Sequence, residues 1–162
     1  TTPRSNRRQR QMCIRDRFLT PPVALVRSHR QGLGVRRLDR MGETLQVTGP
    51  ERTLVDGFRD PRHVGGPAEL VESAAGFPVL DLELLGHLLE SYGEKGLYAA
   101  TGWFVERYRR TFSVPHVFIE RLARHRPRSP QYLLRRQRGG TLARRWNLIL
   151  PDALVSGEPD DD

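Results

Sequence analysis

The chain has 162 residues, of which 37% are hydrophobic and 28% are charged, a composition typical of one globular domain with a hydrophobic core. Its single cysteine, Cys13, excludes an internal disulfide and a cluster of thiolate metal ligands. No apolar run approaches the roughly 20 residues of a transmembrane helix, and the first residues lack the apolar core of a signal peptide. We therefore predict a cytoplasmic protein that does not bind membranes.

The net charge of +8 is distributed unevenly along the chain. Residues 1–17 contain six arginines and one acid, whereas residues 18–120 contain twelve basic and thirteen acidic residues. Residues 121–145, called the basic segment below, contain nine arginines and no acid. Such a segment favours contact with an anionic partner such as a nucleic acid. A GC-rich genome would explain why Lys95 is the only lysine, but it would not explain the missing acids.

The chain divides into three predicted parts. Residues 1–17 lack a hydrophobic period, and their peptide QMCIRDR looks like translated sequencing-adaptor sequence, so we expect a disordered or non-native basic leader. The alternative is a genuine basic arm that binds nucleic acid. Residues 18–155 are expected to form the folded domain, and residues 156–162 an acidic disordered tail.

The folded part begins with short β-type runs. These runs are Val23–Val26, Val35–Leu38 and Thr44–Val47, and Met41-Gly42 has the composition of a hairpin turn between the last two. The pattern predicts a small antiparallel unit that leads into a helix.

That helix is expected to begin at Pro50, since proline suits the first helical position and Glu51 places negative charge at the positive end of the helix dipole. Pro61 should end it, and Gly65-Gly66 should allow a sharp turn. Four further helices are predicted over 67–75, 82–92, 97–110 and 115–125. The fold class is therefore α+β, with about five short helices packed with small antiparallel β-sheets or hairpins.

Three side chains in these helices have an expected role. Trp103 lies in an aromatic stripe at helical spacing, which favours core packing over a stacking platform for bases. Glu106 lies four residues before Arg110 and is expected to form a solvated ion pair with it. His87 lies beside an apolar stripe, which favours a partly buried structural histidine over a metal ligand.

The basic segment predicts a hairpin with a cationic tip. Gln131–Leu134 and Trp146–Leu150 read as two strands joined through Gly139-Gly140. Guanidinium groups gathered at such a tip can bind phosphates bidentately, so we predict contacts to the phosphate backbone of DNA. The expected contact residues are Arg135, Arg136, Arg138, Arg144 and Arg145.

Enzymatic motifs are absent from the sequence. It contains no CxxC, HExxH, GxSxG or P-loop motif, and its five histidines have no spacing that indicates a shared metal site. Acids occur singly, and Lys95 is the only lysine available to a nuclease-like site. We predict a protein that is not an enzyme and needs no metal or cofactor. The alternative is an active site assembled from distant residues.

Four motifs in a fixed order resemble the C-terminal domain of the AbiEi family of type IV antitoxins. They are ERTLVD with a later proline and Gly-Gly, then GWFVER at 102–107, then the basic segment with its Gly-Gly, and finally WNLILP at 146–151. The residues that carry the resemblance are Glu51, Arg52, Thr53, Asp56, Pro61, Gly65, Gly66, Trp103 and Trp146. The alternative is that ERTLVD is a well-capped amphipathic helix in which Arg52 and Asp56 form a local ion pair.

The resemblance implies an antitoxin that counteracts a nucleotidyltransferase-like toxin, without necessarily binding it, and that represses its own operon. In that family a winged-helix DNA-binding domain precedes the matched region. We expect this chain to be a fragment or a stand-alone antitoxicity domain without sequence-specific DNA readout. The alternative function is a non-catalytic, basic nucleic-acid-binding domain unrelated to toxins.

Overall fold

The computed structural model describes residues 32–135 and 137–155. Its strands are β1 (Val35–Arg40), β2 (Glu43–Thr48), β3 (Gln131–Tyr132), β4 (Thr141–Ala143) and β5 (Leu148–Leu150). Its α-helices are α1 (Pro50–Arg59), α2 (Pro67–Ala75), α3 (Leu82–Tyr92), α4 (Lys95–Arg107), α5 (His116–Arg124) and α6 (Asp152–Val155). Two 3-10 helices span Pro61–Val64 and Arg144–Trp146. The predicted α+β class is confirmed.

Strands β1 and β2 form an antiparallel hairpin, called sheet A, in which Val35 pairs with Thr48 and Arg40 with Glu43. The turn residues Met41 and Gly42 have φ angles of 54° and 81°, which match the twist of a two-residue hairpin. The predicted turn is therefore confirmed. The predicted strand Val23–Val26 lies outside the described residues.

Helix α1 begins at Pro50, as predicted, and follows Gly49 as its N-cap. Pro61 starts the first 3-10 helix directly after α1, and the Gly66 amide donates to the Pro61 carbonyl at 2.8 Å. Gly65 and Gly66 have φ angles of 78° and 104°, so the sharp turn predicted there is confirmed. The chain then enters α2 within the predicted bounds.

Helix α1 lies at the centre of the core and packs against α2, α3 and α4. Leu54 and Val55 are fully buried, and the ring of Phe58 meets Phe104 of α4 edge-on, with 6.2 Å between centroids. Trp103 is buried, so the prediction of core packing for this side chain is confirmed. His87 is exposed, so the expected partly buried histidine is wrong, because this position of α3 faces solvent.

The second sheet, called sheet B, differs from the predicted hairpin. Its strand order is β3-β5-β4, with β3 parallel to β5 and β4 antiparallel to β5. The segment through Gly139-Gly140 leads from β3 into β4 and not into β5. The chain then reverses at the second 3-10 helix and at Asn147, whose φ is 48°. The antiparallel pairing predicted for the first and last strands is therefore wrong.

The buried apolar side chains form one cluster that extends from α1 to Leu154 of α6. The predicted leader 1–17 and tail 156–162 lie outside the described residues, so these two predictions stay open. None of the helices in the described ranges combines the length and the hydropathy that crossing a membrane requires.

Candidate nucleic-acid interface

The structure describes four of the five arginines predicted to bind phosphate, and all four are exposed. Arg135 lies in a turn after β3, Arg138 lies in the loop before β4, and Arg144 begins the second 3-10 helix. Within the described ranges, none of these three guanidinium groups forms an ion pair. Arg136 is not among the described residues. Arg135, Arg138 and Arg144 are therefore the part of the prediction that still offers free cations.

Arg145 differs from the other three because it is held by two carboxylates. Its Nη1 atom lies 2.9 Å from Oε1 of Glu106, and its Nη2 atom donates to Oε1 of Glu120 at 2.6 Å. Both acids come from helices, α4 and α5, that precede the basic segment in the chain. The expectation of five cations at one hairpin tip is wrong, because the tip does not form and this guanidinium is already neutralised.

Glu106 also binds the neighbouring Trp146. The indole Nε1 donates to Oε2 of Glu106 at 2.6 Å, while the ring lies directly over Gly102. A Cβ at Gly102 would lie 2.1 Å from Cζ3 of Trp146, so only glycine allows this approach. Glu106 therefore joins α4 to the second 3-10 helix. The expected pair with Arg110 is wrong, because the carboxylate binds Arg145 and Trp146 of that 3-10 helix instead.

Arg52 is buried, which changes the interpretation of its pair with Asp56. Its Nε lies 3.2 Å from Oδ2 of Asp56, as the spacing predicted, but only 4% of the residue is exposed. Its Nη1 also donates to the carbonyl of Leu33 at 2.8 Å. The guanidinium therefore joins α1 to the segment that precedes sheet A. A solvated local pair does not describe it.

Other ERTLVD side chains also connect separate elements. Glu51 is buried, its Oε1 accepts from the Asp81 amide at 2.8 Å, and its Oε2 has no hydrogen-bond partner within the described residues. Asp56 accepts a short hydrogen bond from the hydroxyl of Tyr92. The pKa of Tyr92 is raised, mainly because the side chain is partly buried and secondly because of that hydrogen bond. Thr53 shares a 2.7 Å hydrogen bond with Thr48 of β2.

Nothing in the local sequence indicated the partners of Arg145. Glu106 and Trp146 lie 40 positions apart, and Glu120 and Arg145 lie 25 apart. The one indication in the sequence is that the basic segment contains no acid, so the carboxylate of any ion pair there must belong to another segment.

Metal chemistry has no candidate site in the part of the chain that the structure describes. No group of three or more histidine, cysteine or acidic side chains there could hold an ion. Asp60 forms ion pairs with Arg62 and His63. A hydrogen bond from Arg62 lowers the pKa of Asp60 to about 2, so this group is a surface ion pair.

Comparison with models of known protein families, with curated proteins and with solved structures finds no match to this chain. Function must therefore be inferred from the motifs and from the geometry that surrounds them. The motif residues lie mostly in the interior, whereas the exposed arginines lie on the surface. The buried motif residues therefore stabilise the fold, and the exposed arginines are the groups that can contact a partner.

Proposed function

We propose that this chain is an antitoxin and regulator module of an AbiEi-like type IV toxin–antitoxin system. In this proposal it is a cytoplasmic, non-enzymatic protein that counteracts a nucleotidyltransferase-like toxin. Direct contact with the toxin is not required. Its second role is to assist repression of its own operon through contacts with DNA phosphates.

The observation that carries the proposal is that the motif segments contact one another. Trp146 of WNLILP lies on Gly102 of GWFVER, and Glu106 of GWFVER binds both Trp146 and Arg145. The ERTLVD helix packs on the same α4 helix from another side. Contact among these motif segments is what a common scaffold requires. Their contact supports one shared scaffold as the basis of the resemblance.

The role in repression rests on three exposed arginines. Arg135, Arg138 and Arg144 are free of ion pairs within the described ranges, so they can contact phosphates. Phosphate contacts supply affinity without sequence information. Operator choice would therefore depend on another DNA-reading domain.

Growth rescue tests the antitoxin role. The full chain is co-expressed with a nucleotidyltransferase-like toxin encoded beside its gene, and we expect colony formation to recover. The triple variant Arg135→Ser, Arg138→Ser, Arg144→Ser should rescue growth as well as the unchanged chain, since counteracting the toxin does not need phosphate contacts. Persistent toxicity with folded, expressed protein, or a neighbouring gene of another kind, would contradict the proposal.

The same arginines favour a second candidate, a basic nucleic-acid-binding domain unrelated to toxins. Its test is duplex binding as a function of salt, measured by fluorescence polarisation. Loss of three phosphate contacts should reduce the slope of log affinity against log salt by about 3. The matched control removes the same charge from β1, with Arg36→Ser, Arg37→Ser and Arg40→Ser, all exposed positions. If both triple variants lose the same duplex affinity, binding depends on net charge and not on the position of the arginines.

A further inference from the structure

One face of sheet B carries a row of three apolar side chains, of which the outer two are exposed and the central one is half-buried. Tyr132 of β3 is the register partner of Ile149 in β5, and Ile149 is also the partner of Leu142 in β4. Register partners point to the same side of a sheet, so the three side chains lie next to each other across all three strands. Tyr132 is 51% exposed and Leu142 is 41% exposed.

The opposite face of sheet B packs against the hydrophobic core. Leu148 and Leu150, on either side of Ile149, are buried, and Leu133 and Ala143 pack against the core. The alternation of the pleat therefore assigns the row of Tyr132, Ile149 and Leu142 to the outer face. With strands about 4.8 Å apart, this row is about 10 Å long, enough for one or two aromatic bases.

Arginines lie at both ends of sheet B. Strand β4 runs opposite to β3 and β5, so Arg135, which follows β3, and Arg138, which precedes β4, belong to one end of the sheet. Arg144 follows β4 and belongs to the other end, where Arg145 is bound by Glu106 and Glu120. The basic segment itself supplies no acid. An apolar row between free cations is complementary to bases joined by phosphates.

We propose that the outer face of sheet B binds single-stranded nucleic acid, with a base stacked on Tyr132 and phosphates bound by Arg135, Arg138 and Arg144. This inference rests on the phosphate contacts of the proposed function and adds a preference for unpaired bases. Stacking on an aromatic side chain needs a base whose face is open, which a duplex does not offer. The chemistry does not distinguish among the bases, because each has a π-face.

The test compares one short oligonucleotide of mixed sequence, single-stranded and annealed to its complement, by fluorescence polarisation at matched salt. Tyr132→Ala should weaken single-strand binding about tenfold and leave duplex binding unchanged, since stacking of one base contributes an effect of this order. Tyr132→Phe should keep the affinity, because the ring remains. Val79→Ala, another exposed apolar position at 65% exposure, serves as the control and should change neither value.

The outcomes separate this inference from the proposed phosphate contacts. If Tyr132→Ala leaves single-strand affinity unchanged while the arginine triple variant weakens both ligands, the stacking face is refuted and the phosphate contacts stand. If Tyr132→Ala weakens both ligands equally, the preference for unpaired bases is refuted. If the unchanged chain binds neither oligonucleotide, both the stacking face and the phosphate contacts are refuted, while the antitoxin role is tested separately by growth rescue.

Discussion

The two small sheets of this protein are attached to the helical core in different ways. In sheet A every strand residue except the half-buried Val35 is exposed, so no other part of the described chain covers either face of the hairpin. In sheet B, Leu148 and Leu150 are buried and only the outer face is exposed. Strand-forming sequence is thus sufficient for a hairpin, while burial depends on what lies against it.

Their attachments differ in chemistry as well. Two hydrogen bonds connect the segment before sheet A to α1 and its N-cap. The Arg52 guanidinium donates to the Leu33 carbonyl, and the Gly49 amide donates to the Gly34 carbonyl at 2.8 Å. Sheet B is connected to α4 through the buried Trp146 ring. We infer that apolar burial dominates the stability of sheet B, whereas hydrogen bonds hold sheet A in place.

Trp146→Ala should have the largest effect on stability. Loss of a fully buried indole in a cramped site typically lowers the free energy of unfolding by about 3 to 5 kcal/mol. The measurement is chemical denaturation followed by circular dichroism. Tyr132→Ala on the outer face of sheet B is the control and should change the value by less than about 0.5 kcal/mol. Equal effects of the two variants would contradict an inward-facing Trp146.

A pair of leucines compares the two sheets directly. Leu150→Ala in sheet B should lower the free energy of unfolding by about 2 to 4 kcal/mol, because the side chain is only 2% exposed. Leu45→Ala in sheet A should cost less than about 1 kcal/mol, since Leu45 is 43% exposed. Denaturant midpoints of the two variants give the comparison. Similar losses would mean that sheet A is packed against another surface in solution.

Substitution of two glycines in α4 tests how closely Trp146 packs on this helix. Gly102→Ala should lower the free energy of unfolding by about 1 to 3 kcal/mol, because the new Cβ would overlap the indole ring. Gly96→Ala is the matched control in the same helix, where the nearest atom to a Cβ would be Gln131 Oε1 at 3.5 Å. Alanine there should stabilise by about 0.5 kcal/mol through helix propensity. Thermal melts should shift in opposite directions.

The smallest effect is expected for Asp60, which lies in neither sheet. Its pKa is lowered to about 2 in the folded protein, chiefly by the hydrogen bond from Arg62. A lowered pKa stabilises the fold at pH values above the ordinary 3.8, and this contribution is lost as the pH falls from 3.8 towards 2. Solvent screening keeps it below about 1 kcal/mol. Asp60→Asn should therefore reduce stability slightly at pH 6 and not at pH 2.

Much of the helical part could be predicted from the sequence because its signals are local. Pro50 begins α1, and α2 and α3 have the predicted bounds 67–75 and 82–92. The strand order of sheet B could not be predicted. Trp146 is a residue type common in strands, but here it ends a 3-10 helix, because its ring packs over Gly102 of another element. For the candidate interface, the sequence indicated the arginines Arg135, Arg138 and Arg144, but neither their arrangement nor the apolar row of sheet B.

The sequence by itself determined the hairpin turn at Met41-Gly42, the start of α1 and the excess of arginine in the basic segment, since each depends on residues close together in the chain. Only the tertiary structure decided that Arg145 is paired with Glu106 and Glu120, while Arg135, Arg138 and Arg144 have no ion pair within the described residues. Contacts across 25 to 40 positions are set by how helices and strands pack, and no local pattern encodes them.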